Sequence, residues 1–420
     1  MAKFIIHGSK KLSGEIEVRG AKNEATKIVA ASILTDQDVV INNAPHILDF
    51  EKMLEIIRSM GGRAEWTGDH QVTLNCKDID PQKIDQEKVR QLRASVVFIG
   101  PMLARFGKID FPTPGGCIIG NRPMDTHFLA FEQLGAQITK VNDKLYRLTA
   151  NKLIGNTVVL QEFSVTATEN ILMAATLAQG ETVLKIAAVE PHVGDLVKCL
   201  NKMGAQIKWL TNHTLLIKGV EKLSGVEHTV IPDTIEAGTF ILLAAVTNSS
   251  IKITHLNPNH MDLFLLKLKE FGVNFEVGQD YILVKPAGEL KAVKKIETNI
   301  YPGIPTDLQQ PLAVLATQAA GPTLIFEKMF EGRFKYTSEL QKMGANIINA
   351  NPHQIIITGP TPLYGTEVKT FDLRAGATLI VAGLLADGET IINEAEIVDR
   401  GYEDIVGRLQ KIGADIQKIE

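Results

Sequence analysis

The feature that most constrains this chain is an internal repeat. Gly61, Gly135, Gly204, Gly272, Gly344 and Gly413 recur 68–74 residues apart. Each follows an amphipathic run and, Gly61-Gly62 apart, is followed by a small or β-branched residue that opens an alternating stretch (Gly135-Ala136, Gly204-Ala205, Gly272-Val273). A glycine in that place reads as the left-handed residue that ends a helix before a strand. A second helix recurs with the same period, starting at Lys22, Arg93, Thr166, Glu236, Thr306 and Arg374. These second helices are apolar around their whole circumference, as in Phe240-Ile241-Leu242-Leu243-Ala244-Ala245, and so should be buried. Four of them are expected to stop at Gly107, Gly180, Gly321 and Gly388.

Six α/β units of about seventy residues are too many for one core. They divide into two domains of three, with Val230-Ile231-Pro232-Asp233 as the crossing. The expected boundaries are 21–231 for one domain and 1–20 plus 232–420 for the other, the N-terminal strand returning to complete the second. If the buried helices run parallel in each domain, their N-termini share a face. Unpaired N–H groups and the helix dipole would then favour an anion there. Lys22-Asn23, Arg93-Ala94-Ser95, Ser164 to Thr168, Asp233 with Glu236, Pro305-Thr306-Asp307 and Arg374 stand at those starts. Glu236 reads as a complement to the dipole.

Composition narrows the function. The chain is 45% apolar and 22% charged with a formal charge of −4, so no overall basic field recruits nucleic acid or an acidic membrane. Cys76, Cys117 and Cys199 are odd in number and widely spaced, which argues against a disulfide framework or a zinc site and suits a reducing, cytoplasmic setting. No apolar run approaches the roughly 20 residues needed to span a bilayer, and the first residues read as a strand, not a signal peptide.

One stretch breaks the regular pattern. Pro112-Thr-Pro-Gly-Gly-Cys117 through Gly120-Asn-Arg122-Pro123 is too rich in proline and glycine for a helix or a central strand. It is a long loop with a thiol at its crest, five residues from a guanidinium. Cys117 can be a general acid, a nucleophile activated by a nearby cation, or a buried cysteine in a surface loop. Lys22 reads as a solvated lysine or an anion ligand. Arg122, Arg333 and Arg400 read as surface ion pairs, or as cations that equivalent loops bring to one cleft. Asp307 is a first-turn acid or a base facing a sugar hydroxyl.

Gly20-Ala21-Lys22-Asn23, Arg93-Ala94-Ser95, the Gly115-to-His127 loop, Pro305-Thr306-Asp307 and Asp399-Arg400-Gly401-Tyr402 together resemble the UDP-N-acetylglucosamine enolpyruvyl transferases, over essentially the whole chain. The sister 5-enolpyruvylshikimate-3-phosphate synthases share the six-unit fold but lack this cysteine loop. The resemblance implies two inside-out α/β-barrel-like domains, each of three repeats, with an active-site cleft between them. It implies transfer of the enolpyruvyl group of phosphoenolpyruvate to the 3-hydroxyl of UDP-N-acetylglucosamine, with release of phosphate and no cofactor or metal. That is the first committed step of peptidoglycan synthesis, in the cytoplasm. Lys22, Asn23, Arg122 and Arg400 would bind phosphoenolpyruvate. Cys117 would protonate its methylene or form a pyruvate adduct, and Asp307 would take the hydroxyl proton, with Lys22 and Arg400 also in the catalytic set. Asn23, Arg93, Arg122, Pro123, Met124, Asp125, Thr126, Glu162, Phe163, Ser164, Val165, Asp307 and Met329 would contact the nucleotide sugar. Arg333 and Arg374 would support the cleft.

The chain departs from the family's usual residues in three places, one of them after Arg374, where Ala375-Gly376-Ala377 stands for the family's Ala-Ser-Ala. Glu162-Phe163-Ser164-Val165-Thr166 stands where the family has Lys-Val-Ser-Val-Gly, and Glu24-Ala25-Thr26-Lys27 where it has Ala-Ala-Leu-Pro. These imply either weakened affinity for UDP-N-acetylglucosamine or a paralogue with another hydroxylated anionic acceptor; a rival reading of another class is a binding protein without turnover.

Overall fold

The computed structural model describes residues 2–115 and 123–420. Cys117, Gly120 and Arg122 therefore lie outside the described residues. The described chain forms two compact units, one of the residues up to Arg19 with those from Pro232 to Glu420, the other of residues between Gly20 and Ile231.

The architecture is mixed α/β. Among the described residues there are six separate sheets, three in each unit, and none closes into a barrel. Five of the sheets share one plan, in which an antiparallel core of three strands takes a fourth, parallel strand at one edge. Distant segments supply some of these strands. Lys3–His7 lies antiparallel between Glu389–Asn393 and Asp415–Ile419. Ser13–Glu17 runs parallel to Ser250–Thr254, and Val226–Thr229 runs parallel to Val39–Asn42.

The apolar helices are interior, as their composition requires. In Thr234–Val246 every residue after the first is buried, and in Thr306–Thr317 every residue from Leu308 on is buried. With Leu373–Leu385 these helices pack on one another within their unit. Gly238 lets two of them approach closely, since a Cβ there would lie 2.6 Å from Leu308 Cδ1. The other helix of each repeat is amphipathic, as in Leu48–Ser59, where Phe50, Met53, Leu54, Ile56 and Ile57 face the core. All six repeat glycines have positive φ, between 83° and 106°, the region glycine enters without a Cβ penalty.

Three local expectations are revised. The helix expected from Arg93 is a 3-10 segment over Arg93–Phe98 before it becomes α-helical at Ile99–Phe106. The cause is Asn170, whose amide donates to Val96 O at 2.9 Å and accepts from Gly100 N at 2.8 Å. Those two backbone groups would pair in an α-helix; the side chain inserts between them. Gly107 caps its helix, but Gly180, Gly321 and Gly388 lie beyond helices that end at Ala175, Thr317 and Leu385, Gly180 and Gly388 in the turns before the next strands and Gly321 as the first residue of the strand Gly321–Phe326. Finally, Glu236 is more than a complement to the helix dipole. Asp233 caps that helix, while both oxygens of Glu236 bind the buried Arg408 guanidinium at 2.6 and 3.1 Å.

Candidate active site

In the unit between Gly20 and Ile231, the helix Lys22–Ala31 begins with two of the sequence-derived site residues, Lys22 and Asn23. Lys22 is not a solvated lysine. Its side chain is only 15% exposed, and Nζ lies 3.2 Å from Oδ2 of the buried Asp49. Sequence reasoning missed Asp49, because nothing in a 27-residue separation signals that pairing.

Arg93 opens its 3-10 segment and donates to the carbonyl of Pro123 at 3.4 Å. Met124 is buried just ahead of the helix Asp125–Gln133. Thr126 Oγ1 donates to Glu162 Oε1 at 3.1 Å. Glu162 O accepts from Ser164 N at 2.7 Å, and Ser164 caps the helix Val165–Ala175 by accepting from Ala167 N. The residues that depart from the family pattern are therefore fitted into local contacts. Phe163, partly exposed, sets its ring edge-on to His213 at 4.7 Å. Thr166 Oγ1 shares a hydrogen bond with His127 Nε2 at 3.2 Å, and Asn170 meets the other ring nitrogen at 3.1 Å. These contacts gather Arg93, Pro123, Thr126, Glu162 and Ser164 around two helix N-termini, where backbone N–H groups suit a phosphate-bearing ligand.

In the unit completed by Pro232 to Glu420, Asp307 stands in the first turn of Thr306–Thr317. Oδ1 accepts from Arg333 Nη2 at 2.6 Å and Oδ2 from Arg374 Nε at 3.1 Å. Both guanidiniums are buried, whereas the carboxylate is 26% exposed. Two charge-assisted bonds fix the plane of the carboxylate and leave it open to solvent on one side. Arg374 also lies 5.2 Å from the centre of the Tyr402 ring, and the Tyr402 hydroxyl pairs with Thr239 at 3.0 Å. Burial opposes the charge of Arg374, yet Tyr402, Asp307 and Asp233 hold its pKa above the ordinary value.

A second carboxylate organises the same region. Glu327 is fully buried; Oε1 accepts from Thr298 Oγ1 at 2.9 Å and Met329 N at 2.8 Å, and Oε2 from Thr306 Oγ1 at 2.7 Å. It thus ties the residue before Asp307 to the segment carrying Met329, whose side chain is partly exposed. Glu327 was not singled out from sequence, since an acid at the end of an apolar strand gives no sign that it is enclosed. Arg400 ends the 3-10 segment Ala395–Arg400 and is half-buried.

The family model described as EPSP synthase (3-phosphoshikimate 1-carboxyvinyltransferase) matches residues 6–409. The chain belongs to the enolpyruvyl transferase family. Within that family, this transferase is 42% identical over 422 residues to a UDP-N-acetylglucosamine 1-carboxyvinyltransferase of Koribacter versatilis, covering 100% of this chain and 97% of the relative. It is 40% identical over 429 residues to the protein of the same name from Borreliella burgdorferi, covering 100% of both chains. Among solved structures, the enolpyruvyl transferase NikO from Streptomyces tendae matches with a TM-score of 0.90 and 28% identity, over 99% of this chain and 98% of that one. An EPSP synthase from Acinetobacter baumannii shares the fold, with a TM-score of 0.76 at 20% identity over 100% of both chains.

Proposed function

We propose that this transferase moves the enolpyruvyl group of phosphoenolpyruvate to the 3-hydroxyl of UDP-N-acetylglucosamine and releases phosphate. The observation that carries the reading is the end-to-end match, at about 40% identity, to relatives named for that activity. Full-length similarity of that kind does not favour a changed acceptor or a binding protein without turnover.

The residues suit the chemistry. Lys22, with Arg122 and Arg400, supplies cations for a ligand with a carboxylate and a phosphate, and Asn23 adds an amide. The Cys117 thiol gives its proton to the methylene carbon, leaving a thiolate and a cationic C2. The sugar hydroxyl oxygen bonds to C2 while Asp307 accepts the hydroxyl proton. The C2–O bond to phosphate then breaks as the methyl group returns a proton to the thiolate and Asp307 passes its proton to the departing phosphate, restoring the double bond and the enzyme. Arg333 and Arg374 orient the Asp307 carboxylate toward that hydroxyl. Arg93, Pro123, Met124, Asp125, Thr126, Glu162 to Val165 and Met329 contact the nucleotide sugar. The reaction takes place in the cytoplasm, at the entry to peptidoglycan synthesis; among the described residues no helix is long and apolar enough to cross a membrane.

Phosphate release from phosphoenolpyruvate plus UDP-N-acetylglucosamine tests the proposal, with Cys117→Ser and Asp307→Asn as controls. Isothermal titration with the nucleotide sugar tests the acceptor separately. Binding that cannot be detected at millimolar ligand would remove it as the acceptor.

A further inference from the structure

Three ionisable side chains that the reaction does not use are enclosed in the unit between Gly20 and Ile231. Glu24 comes from the first turn of Lys22–Ala31, His228 from the strand Val226–Thr229 and Asp195 from the helix Pro191–Lys202. None is more than 5% exposed. His228 Nε2 lies 3.1 Å from Glu24 Oε1 and 2.8 Å from Asp195 Oδ2. Lys198, on the solvent side, donates to the other Asp195 oxygen at 2.9 Å. A neighbouring ionisable pair is Lys27, on the same helix as Glu24, with Glu169 on Val165–Ala175 at 3.6 Å; burial pushes Glu169 up to about 8 although Lys27 opposes the shift, and His192 Nε2 is 3.5 Å from Glu169.

The second oxygen of Glu24 does something the first does not. Oε2 accepts the backbone N–H of Ile231 at 3.1 Å, and the carbonyl of Ile231 accepts the N–H of Ala21 at 2.8 Å. One residue thus grips the chain on both sides of Lys22. Ile231 is also the last residue before the chain passes to the other unit.

We infer that Glu24, His228 and Asp195 form a buried proton-sharing network that positions Lys22 for phosphoenolpyruvate by pinning Ala21 and Glu24 to Ile231. This rests on the reading of Lys22 as a phosphoenolpyruvate ligand. The role is one of positioning, since none of the three reaches the reactants.

The network is electrically tight only while it keeps its protons. Burial, with Asp195 adding, pushes Glu24 up to about 8, although His228 opposes the shift. Burial alone would lower His228, but its bonds to Asp195 and Glu24 prevail and raise it to about 9. Burial would raise Asp195, but His228, Glu24 and Lys198 hold it well below the usual carboxylate range. Near pH 7, Glu24 is therefore neutral, and imidazolium faces carboxylate. Above pH 8 Glu24 ionises, and above pH 9 His228 loses its charge, leaving two enclosed carboxylates against Lys198. Both raised groups give the same sign: the folded state binds more protons than the unfolded one, so the Glu24 contribution to stability falls as pH rises from about 4.5 to about 8, and that of His228 from about 6.5 to about 9.

The test is the pH dependence, from 6.5 to 9.5, of KM for phosphoenolpyruvate read apart from kcat. In the unaltered protein KM is expected to rise by about tenfold above pH 8, with a smaller change in kcat. Glu24→Gln, whose amide cannot ionise, is expected to flatten that rise, and His228→Gln to move it. Amide exchange protection at Ala21 and Ile231 reads the same network without turnover: it should fall above pH 8 in the unaltered protein but not in Glu24→Gln. Superimposable profiles and protection in both proteins would overturn the inference, as would a stoichiometric divalent metal whose removal by chelator abolishes the pH effect. Absence of turnover in the unaltered protein would sink the functional reading instead, and exchange would still decide the network.

Discussion

Arg333 Nη2 lies 2.6 Å from Asp307 Oδ1, a buried guanidinium holding a carboxylate that keeps one side open to solvent. Arg374 holds the other oxygen. Asp307→Asn should retain the fold, since an amide oxygen still accepts from one arginine. It should lower kcat by about 10²–10⁴, the usual worth of a positioned acid or base. Asp307→Ala removes the partner of two buried cations at once, so it should also lower stability by about 3 kcal/mol in urea unfolding. A kcat unchanged in Asp307→Asn would exclude this residue as the base.

Cys117 is expected to be alkylated once by a small phosphonate epoxide of the fosfomycin type, the sulfur opening the ring. The other two thiols should not compete. Cys76 and Cys199 are buried, and burial pushes their pKa values up to about 11 and about 12. Intact mass spectrometry should show a single adduct, absent in Cys117→Ser. Adducts on Cys76 or Cys199 would mean that thiolate character does not govern the reaction.

Glu162 places a carboxylate beside the helix N-termini proposed to meet a diphosphate, and Thr126 donates to it. Glu162→Gln keeps an acceptor for Thr126 and removes the charge. Titration should show UDP-N-acetylglucosamine binding tighter by about two- to fivefold at low salt, with the gain shrinking as ionic strength rises. Weaker binding in Glu162→Gln would mean that the carboxylate itself contacts the sugar.

Asn170 substitutes its amide for a main-chain hydrogen bond between Val96 and Gly100. Asn170→Ala should leave both groups unsatisfied in the interior and cost about 2 kcal/mol, read as a lower urea midpoint. Asn170→Asp should be worse, because it loses the donor to Val96 O and encloses a carboxylate in the interior, although Gly100 N keeps an acceptor.

Gly238→Ala tests how close two interior helices must come. The added methyl would sit 2.6 Å from a methyl of the buried Leu308. Overpacking of about 1–3 kcal/mol should exceed the roughly 1 kcal/mol gained in helix propensity. Because Leu308 follows Asp307, kcat should fall together with the thermal midpoint.

The sequence by itself determined the repeat, the class and the chemistry. A period of about seventy is visible because each unit must end an amphipathic helix with a left-handed glycine and must bury an all-apolar helix; both needs are local and leave residues in fixed places. The motifs around Lys22, Cys117, Asp307 and Arg400 could be picked out for a similar reason, since each is a short stretch that resembles the family's own, and the roles proposed for them rest on that resemblance. Tertiary structure alone decided which charges meet. Asp49 beneath Lys22, Arg333 and Arg374 on Asp307, Glu327 beneath Thr306, and His228 between Glu24 and Asp195 join residues far apart in the chain. Their pairing follows from desolvation: a charge enclosed by the fold must find its partner there, and no spacing in the sequence records which one it finds.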